Sequence, residues 1–427
     1  MFKAEEKNNN LRLPSGFRDI FPLESSERNK IKKIIGHLFK SWGYGEVKTP
    51  VMEYTENISI GVGSDWKNKL INFIDIDGSL ISLRADMTIP IARLAGMRIK
   101  ENQLPARFCY FCDAFRQTGS QVGNKRVYSQ AGLEFLGSRK RLEGDLEVLT
   151  IFIRVLRALG LDNFRIGQGH IGFIDGLFNW LKLDDGGRKE LKKYIVNKDF
   201  VRIEDFLKKI DSKKAKIFME FMHPENDIKK ISGIVSSIGE ESLSGVFDYL
   251  NELYLRLEEQ GYGKYLIFDF SIIRDFDYYT GLLFEVYSRE ITEIIGSGGR
   301  YDGLIRKFGT DMPATGFALD IDILHGALGD SNLIDDKKIM LSCPSGSNSG
   351  TGLIRLADRI RDLNINVEIL FDDIKGRREL ALNKNCRFLA ETSADFTNIK
   401  VIDLENGSSN LKSMDLFLKE LGKWKKN

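Results

Sequence analysis

One short stretch of the chain, FRQTGSQVGNKRVYSQAGLEFLG, groups residues that could bind charged small molecules. Arg116 precedes a glycine-containing loop, and Gln130 and Glu134 follow that loop on a predicted strand. An arginine can hold a phosphate or carboxylate through two parallel hydrogen bonds, whereas amide and carboxylate oxygens accept hydrogen bonds from an ammonium group. These residue types are therefore typical of a site for a nucleotide and an amino acid.

Two further stretches carry polar side chains at regular spacing. SLRADMT places Arg84, Asp86 and Thr88 at alternate positions, so that on a strand end they would project together as a receptor for an ammonium group. RDFDYYTG contains Tyr278 and Tyr279, which on a strand would point to opposite faces, one into the core and one into a pocket. Each stretch taken alone also fits an ordinary strand or strand end.

The stretch GSGGRYDG has three glycines before Arg300. Glycine lets the backbone approach a ligand closely, and the neighbouring arginine could hold a phosphate. The spacing matches neither common glycine-rich nucleotide-binding motif, so the pattern predicts a glycine-rich turn. The following segment, PATGFALDIDILHGAL, predicts a turn and a helix.

Composition narrows the class of protein. With 427 residues, 42% hydrophobic and 29% charged, the chain is typical of a soluble globular protein with two or more domains. Lys and Arg number 63 against 61 Asp and Glu, which leaves no broad positive surface for non-specific nucleic-acid binding. The N-terminus has no signal-peptide core and no stretch reaches the length of a membrane span, so we expect a cytoplasmic location.

The four cysteines indicate no metal site. Cys109 and Cys112 form a single C-x-x-C, which could be half of a zinc site or a redox pair. No second such motif completes a zinc site, and the alternating context RFCYFCDAF favours a buried strand. We therefore predict neither a metal nor a cofactor.

Hydrophobic periodicity predicts the elements that position these residues. ESSERNKIKKIIGHLFKSWG is a helix that Ser25 or Ser26 caps and Gly43 ends. Residues 71–86 form a hairpin, and RFCYFCDAFRQ pairs with KRVYSQAGLEFLG. The predicted fold class is α+β, an antiparallel sheet flanked by helices.

The chain divides into segments of different character. Residues 1–10 are polar and expected to be disordered, and residues 11–330 form the main domain. Within it, residues 174–262 are rich in Lys, Leu and Glu at helical spacing, which predicts a helical insertion. Residues 337–427 start as strand, helix and strand, and so predict a small α/β domain.

Four of these stretches, in this order, resemble the class II aminoacyl-tRNA synthetases in their histidyl branch. GYGEVKTPVME resembles motif 1, the dimer interface of that family, and the stretch with Arg116 resembles motif 2. GGRYDGLIRKFG with PATGFALDIDIL resembles motif 3, and RDFDYYTGLLFEV resembles the histidine-recognition signature. The resemblance spans about Leu11 to Leu328 and implies a class II synthetase-like fold with an anticodon-binding-like C-terminal domain.

The chain departs from the synthetase pattern at charged positions. LRADMT stands where LRPEGT is usual, Thr118 replaces the motif 2 acid, and Asn124 replaces the loop arginine. Loss of an arginine that stabilises developing phosphate charge can cost several kcal/mol of transition-state stabilisation. LRADMT and QAGLE instead resemble the regulatory subunits of ATP phosphoribosyltransferase, synthetase paralogues without aminoacylation activity.

That resemblance implies a role and partners. Such subunits pair with a short-form catalytic subunit, which joins ATP to phosphoribosyl pyrophosphate and releases pyrophosphate at the first step of histidine biosynthesis. They are required for its activity and for feedback inhibition by histidine. The resemblance further implies a dimer within a hetero-octamer, and it makes tRNA an unlikely partner.

The resemblance also assigns residues to a histidine pocket. The positions near the ammonium group of histidine are Asp86, Thr88 and Gln130. The position facing its carboxylate is Arg274, and the positions near its imidazole are Glu134, Tyr278 and Tyr279. Arg116 and Arg300 match nucleotide- or phosphate-contacting arginines of the synthetases. Two alternatives stay open: a working histidyl-tRNA synthetase with unusual motifs, and a stand-alone histidine-binding module that regulates another partner.

Overall fold

The chain forms two compact units, Met1–Ser331 and Asn332–Asn427. The computed structural model describes residues 12–62, 64–117, 125–225, 227–273, 278–329, 338–344, 350–372 and 374–423. Across these described residues, no helix is both long enough and apolar enough to cross a membrane.

The first unit is built on two sheets. Its strands are β1 (Gly45–Glu46), β2 (Met52–Tyr54), β3 (Asn72–Ile74), β4 (Leu80–Leu83), β5 (Ala106–Phe115), β6 (Val127–Leu136), β7 (Phe164–His170), β8 (Leu266–Phe268), β9 (Leu282–Ser288), β10 (Gly296–Arg300) and β11 (Ala314–Asp320). The large sheet has the order β1-β5-β6-β11-β10-β9-β7-β8. Its central pairs are antiparallel, and only the outer pairs β1/β5 and β7/β8 are parallel. The small sheet has the order β2-β4-β3. The predicted hairpin and the β5/β6 pair are confirmed.

Helices pack on the large sheet, and several of them are inserted in the chain between two of its strands. They are α1 (Pro22–Ser41), α2 (Thr55–Val62), α3 (Thr88–Arg98), α4 (Arg141–Ala158), α5 (Ile171–Leu181), α6 (Asp185–Val196), α7 (Phe200–Lys208), α8 (Ser212–Phe221), α9 (Ile228–Ile238), α10 (Glu241–Glu259) and α11 (Ile321–Leu328). The six helices α5 to α10 lie between β7 and β8 and form the helical insertion of the predicted fold class. Aspartates 184, 199, 211 and 227 each cap one of these helices through a side-chain oxygen, which satisfies backbone N–H groups of the first turn.

Helix α1 lies on one face of the large sheet and starts differently from the prediction. Its buried residues other than Arg28 are apolar, and the Phe39 ring lies 6.3 Å from that of Phe111 on β5. The helix begins at Pro22, whose fixed φ suits the first turn. Ser25 and Ser26 therefore lie inside the helix, and the predicted cap at these serines is wrong.

The glycine-rich stretch before Arg300 is a central strand, β10, and not a turn. Its neighbour β11 likewise replaces the turn predicted in PATGFALD. Glycine usually weakens a strand, but here the strands pack too closely for side chains. A Cβ atom on Gly298 would lie 2.2 Å from the carbonyl oxygen of Gly316. Tertiary crowding, which local sequence rules do not register, therefore explains these glycines.

The second unit is a small α/β fold. Its elements are β12 (Ile339–Ser342), α12 (Gly350–Arg361), β13 (Val367–Leu370), α13 (Arg377–Asn383), β14 (Phe388–Thr392), β15 (Asn398–Asp403), β16 (Ser409–Ser413) and α14 (Met414–Leu421). The sheet order is β13-β12-β14-β15-β16, with parallel pairs around β12. The strand–helix–strand start predicted from the sequence is confirmed.

Candidate functional site

A narrow pocket opens on the face of the large sheet opposite α1. Strands β5, β6, β10 and β11 form its floor, and the segment between β4 and α3 forms one wall. The lining residues are Asp86, Thr88, Tyr110, Arg116, Gln130, Glu134, Tyr278, Tyr279, Ser297, Tyr301, Gly316, Phe317 and Ala318. The cavity volume is about 40 Å³. The pocket is therefore small and lined mainly by polar and aromatic side chains.

Two buried carboxylates face this pocket, and Asp86 is the first. Its side chain is 6% exposed, and Oδ2 accepts a hydrogen bond of 3.0 Å from the Tyr278 hydroxyl. Burial raises the pKa of Asp86, while the bond from Tyr278 and the positive charge of Arg116 oppose that rise. A cationic group in the pocket would stabilise the ionised carboxylate.

Glu134 is the second carboxylate and is 1% exposed. Its Oε1 accepts a hydrogen bond of 3.0 Å from the Thr88 hydroxyl, and its Oε2 accepts a short one from the Tyr301 hydroxyl. Burial raises the pKa of Glu134 to about 8, and the charge of Asp86 acts in the same direction. At neutral pH the group is therefore mostly protonated and can donate a hydrogen bond as well as accept one.

Gln130 supplies a buried hydrogen-bond acceptor. It is 9% exposed, and its Oε1 is buried without a hydrogen-bond partner among the described residues. An unsatisfied buried carbonyl costs about 1–3 kcal/mol, so a native site usually fills such a position with a ligand or an ordered water. The orphaned oxygen belongs to a pocket that also contains Asp86, which is the combination that an ammonium group requires.

Tyrosines form the aromatic wall. Tyr278 and Tyr279 lie in a turn before β9, and their ring centroids are 4.7 Å apart. Both line the pocket, so the prediction that a strand would send them to opposite faces is wrong. The Tyr301 ring lies 5.8 Å from that of Tyr278.

Sequence reasoning missed several lining residues, and Tyr301 is the most informative. It directly follows Arg300 in GGRYDG, a stretch whose sequence pattern pointed to the arginine and the glycines only. Gly316 was missed as well, and a Cβ atom there would lie 1.8 Å from Oε2 of Glu134. Gly316 lies opposite Glu134 on the neighbouring strand, and no local sequence pattern predicts a contact of this kind. No sequence pattern pointed to Tyr110 or Ser297 as lining residues either.

The two arginines assigned to phosphate contacts behave differently. Arg116 lines the pocket, its Nε donates to the Ala85 carbonyl at 3.1 Å, and its guanidinium lies 4.7 Å from the Tyr128 ring centroid. Arg300 does not line the pocket. Its assignment to a nucleotide or phosphate contact stays a prediction, and its side chain is held elsewhere in this structure.

The reason is a buried ion pair. Arg300 is 4% exposed, and its Nε and Nη2 donate to the fully buried carboxylate of Asp145 at 3.1 and 2.8 Å. Nη2 also donates to the Arg141 carbonyl, and Nη1 donates to Asp302. These bonds engage four of the five N–H groups of the guanidinium.

Three residues central to the sequence argument lie outside the described residues. They are Arg274, assigned to the ligand carboxylate, and Thr118 and Asn124 at the departures from motif 2. Arg84, a neighbour of Asp86, is described, but its side chain donates to backbone carbonyls of Thr49 and Asp113 instead of entering the pocket.

Comparison with known proteins agrees with this architecture. Residues 16–324 match the histidyl-tRNA synthetase family. An ATP phosphoribosyltransferase regulatory subunit of Halothermothrix orenii is 30% identical over 403 residues, 92% of this chain and 96% of that protein. A protein with the same description from Symbiobacterium thermophilum is 32% identical over 388 residues, 88% of this chain and 95% of that one.

Solved structures show the same fold. An ATP phosphoribosyltransferase regulatory subunit/histidyl-tRNA synthetase of Bacillus halodurans superposes with a TM-score of 0.74 at 25% identity, over 90% of this chain and 97% of that one. A histidyl-tRNA synthetase of Nostoc sp. PCC 7120 superposes with a TM-score of 0.79 at 20% identity, over 97% and 99% of the two chains. The predicted class II synthetase-like fold is thereby confirmed.

Proposed function

This chain belongs to the family of ATP phosphoribosyltransferase regulatory subunits, within the wider histidyl-tRNA synthetase family, and on that basis we propose that it is a non-catalytic histidine sensor. In this proposal it activates a short-form catalytic subunit of ATP phosphoribosyltransferase and transmits feedback inhibition by histidine. The observation that carries the proposal is the polar pocket, in which two buried carboxylates accompany a Gln130 oxygen that has no partner in the part of the chain that the structure describes.

Each part of histidine has a complementary group in the pocket. The ammonium group binds Asp86 and the oxygen of Gln130, because both are buried acceptors. The imidazole binds near Glu134 and the Tyr278–Tyr279 pair, which offer hydrogen-bonding groups and flat apolar surfaces. Arg274 binds the carboxylate in this proposal.

The proposed loss of adenylation activity rests on two positions at which this chain differs from the synthetases. The chain has Thr118 and Asn124 where the synthetase pattern has an acid and an arginine. Neither side chain can replace the missing charge, and adenylation depends on stabilising charge as it develops on phosphate. The amino-acid half of the pocket keeps its acceptors, so binding without activation is the expected behaviour.

Self-association is part of the proposal. Large apolar side chains are exposed on and around the small β2-β4-β3 sheet, including Tyr54 at 52%, Ile74 at 79% and Ile76 at 103%. A clustered exposed apolar surface is typical of a protein interface. We propose that this surface pairs two copies of the chain within a hetero-oligomer, for which the resemblance suggests an octamer.

Calorimetric titration with histidine tests the pocket. We expect saturable binding to the full chain, and about tenfold or more weaker binding to Asp86→Asn, because that substitution removes a charged partner of the ammonium group. Asp311→Asn is the matched control, since this aspartate side chain is 65% exposed and does not line the pocket. Absence of histidine uptake by the folded wild-type chain would refute the sensor function.

Assays of the assembled complex test the regulatory role. Co-expression with a short-form catalytic subunit should give a complex whose phosphoribosyl transfer depends on this chain and is inhibited by histidine. The Asp86→Asn complex should need more histidine for half-inhibition. The rival synthetase function, which the match of residues 16–324 to the histidyl-tRNA synthetase family favours, predicts histidine-dependent ATP–pyrophosphate exchange by the isolated chain. Robust exchange would replace our proposal with that one.

A further inference from the structure

The helical insertion contacts the turn that carries the tyrosine wall of the candidate pocket. We call residues 278–281 the tyrosine turn. Its Tyr278 and Tyr279 line the pocket. The first residue of α5, Ile171, donates its backbone N–H to the Gly281 carbonyl at 3.0 Å. The start of the insertion is therefore bonded directly to the tyrosine turn.

A second connection starts at Tyr249 on α10, the last helix of the insertion. Its hydroxyl donates to Oδ2 of Asp145 on α4 at 2.5 Å. Burial raises the pKa of this hydroxyl, and the negative charge of Asp145 raises it further, so the group stays protonated and acts as the donor. The His170 ring packs edge-on against the Tyr249 ring, with the centroids 5.9 Å apart, and helps to hold that ring in place.

The carboxylate of Asp145 connects Tyr249 to Arg300. Its Oδ2 accepts from the Tyr249 hydroxyl and from Nε of Arg300, and its Oδ1 accepts from Nη2 of Arg300. Asp145 is fully buried, where the loss of a donor to a carboxylate is costly. The bond from Tyr249 therefore helps to fix the carboxylate and, through it, the guanidinium.

Arg300 in turn contacts the tyrosine turn at several points. Its carbonyl accepts from the Thr280 N–H at 2.8 Å. Its side chain packs on Gly281, where an added Cβ atom would lie 3.1 Å from Cδ of Arg300. Its Nη1 donates to Asp302, whose backbone N–H donates to the Thr280 hydroxyl at 2.9 Å. A shift of Arg300 would therefore move the tyrosine turn.

We propose that Tyr249 is a positioning residue of the histidine pocket, through which the helical insertion and the bound ligand influence each other. The inference rests on the proposed binding of histidine and adds a role for the insertion in it. Coupling between two sites acts equally in both directions. Histidine against Tyr278 and Tyr279 therefore stabilises α10, and a displacement of α10 lowers the affinity for histidine.

Calorimetric titration of the full chain with histidine tests the role of Tyr249. Tyr249→Phe keeps the aromatic ring, removes the hydroxyl and should bind histidine about three- to tenfold more weakly than the wild type. Tyr44→Phe is the matched control, because the Tyr44 hydroxyl likewise donates to an α4 carboxylate, that of Glu147, at 2.9 Å. Glu147 likewise binds an arginine, Arg107, and none of these three residues lines the pocket. Both variants should unfold at lower urea concentration, but only Tyr249→Phe should change the affinity.

Two further measurements separate positioning from general destabilisation. Thr280→Val removes the hydroxyl at the pocket end of the same route. The double variant with Tyr249→Phe should bind histidine about as weakly as the weaker single variant, because residues that act through one network have non-additive effects. Saturating histidine should also slow amide hydrogen exchange in α10 of the wild type, and should slow it less in Tyr249→Phe.

Failure of this inference is distinguishable from failure of the sensor function. No histidine uptake by the folded wild-type chain would overturn both. Histidine uptake with the same affinity in the wild type and in Tyr249→Phe would overturn this inference alone. An equal loss of affinity in Tyr249→Phe and Tyr44→Phe would do the same, because it would attribute the effect to lower stability.

Discussion

The protonation of Glu134 makes stability depend on pH in a defined direction. Its pKa is about 8 in the folded chain, against an ordinary value of 4.5. Between those two values the folded state holds a proton that the unfolded state releases, so the free energy of unfolding falls as pH rises. This one group should lower the free energy of unfolding by about 2–3 kcal/mol between pH 5.5 and 7.5.

Glu134→Gln removes this titration with little change in shape. A glutamine reproduces the hydrogen bonding of the protonated acid, because its oxygen can accept from Tyr301 while its amide donates to the Thr88 hydroxyl. Urea unfolding followed by tryptophan fluorescence at several pH values measures the difference between variant and wild type. The free energy of unfolding of the variant, relative to that of the wild type, should increase steadily as pH rises from 5.5 to 7.5.

An exposed glutamate on α10 provides the control for this measurement. Glu259→Gln, at an exposed position on α10, should follow the wild-type pH dependence. If the Glu134→Gln and wild-type curves stay parallel across this range, Glu134 is ionised in the folded protein. The argument from burial would then be wrong.

Two substitutions test the packing around the site. Gly316→Ala should lower the free energy of unfolding by about 1–3 kcal/mol in urea unfolding, because the added methyl group overlaps Glu134. Arg300→Met should lower it by about 3–5 kcal/mol in the same measurement, because it leaves the carboxylate of Asp145 buried without its partner.

Both substitutions have matched controls on the same unit. Gly326→Ala lies in α11 with open space around the added methyl group and should be neutral or slightly stabilising. Arg306→Met breaks an exposed ion pair and should cost less than about 1 kcal/mol. Equal effects of target and control would contradict the packing argument in either case.

Much of the fold was predictable because its signals are local. The apolar stripe of α1 and the alternation along β5 and β6 follow directly from the periods of helix and strand. Asp86, Gln130 and Glu134 were identified from a resemblance in motif order, and the structure brings all three into one pocket. Their role in binding histidine remains a prediction.

The rest depends on contacts between distant segments. The glycines of β10 predict a turn by local rules, yet the close approach of β11 makes glycine necessary in a strand. The local sequence around Arg300 is typical of a phosphate-binding arginine, whereas the structure pairs this side chain with Asp145 on α4. The tyrosine pair was assigned to a strand, but the backbone turns before β9 begins. In each case a neighbour remote in sequence decides the outcome.

The Arg300–Asp145 pair bears on which residues of this fold can indicate catalysis in a member of the family. An arginine that anchors β10 to a neighbouring helix would be kept by selection for folding alone, even after all chemistry at the nearby cleft had ceased. Its presence in an alignment would then say nothing about whether a given descendant still turns over substrate. A residue with a polar atom that has no partner among the described residues, such as Gln130 with its buried Oε1, is one whose replacement should instead follow a change in what the pocket binds.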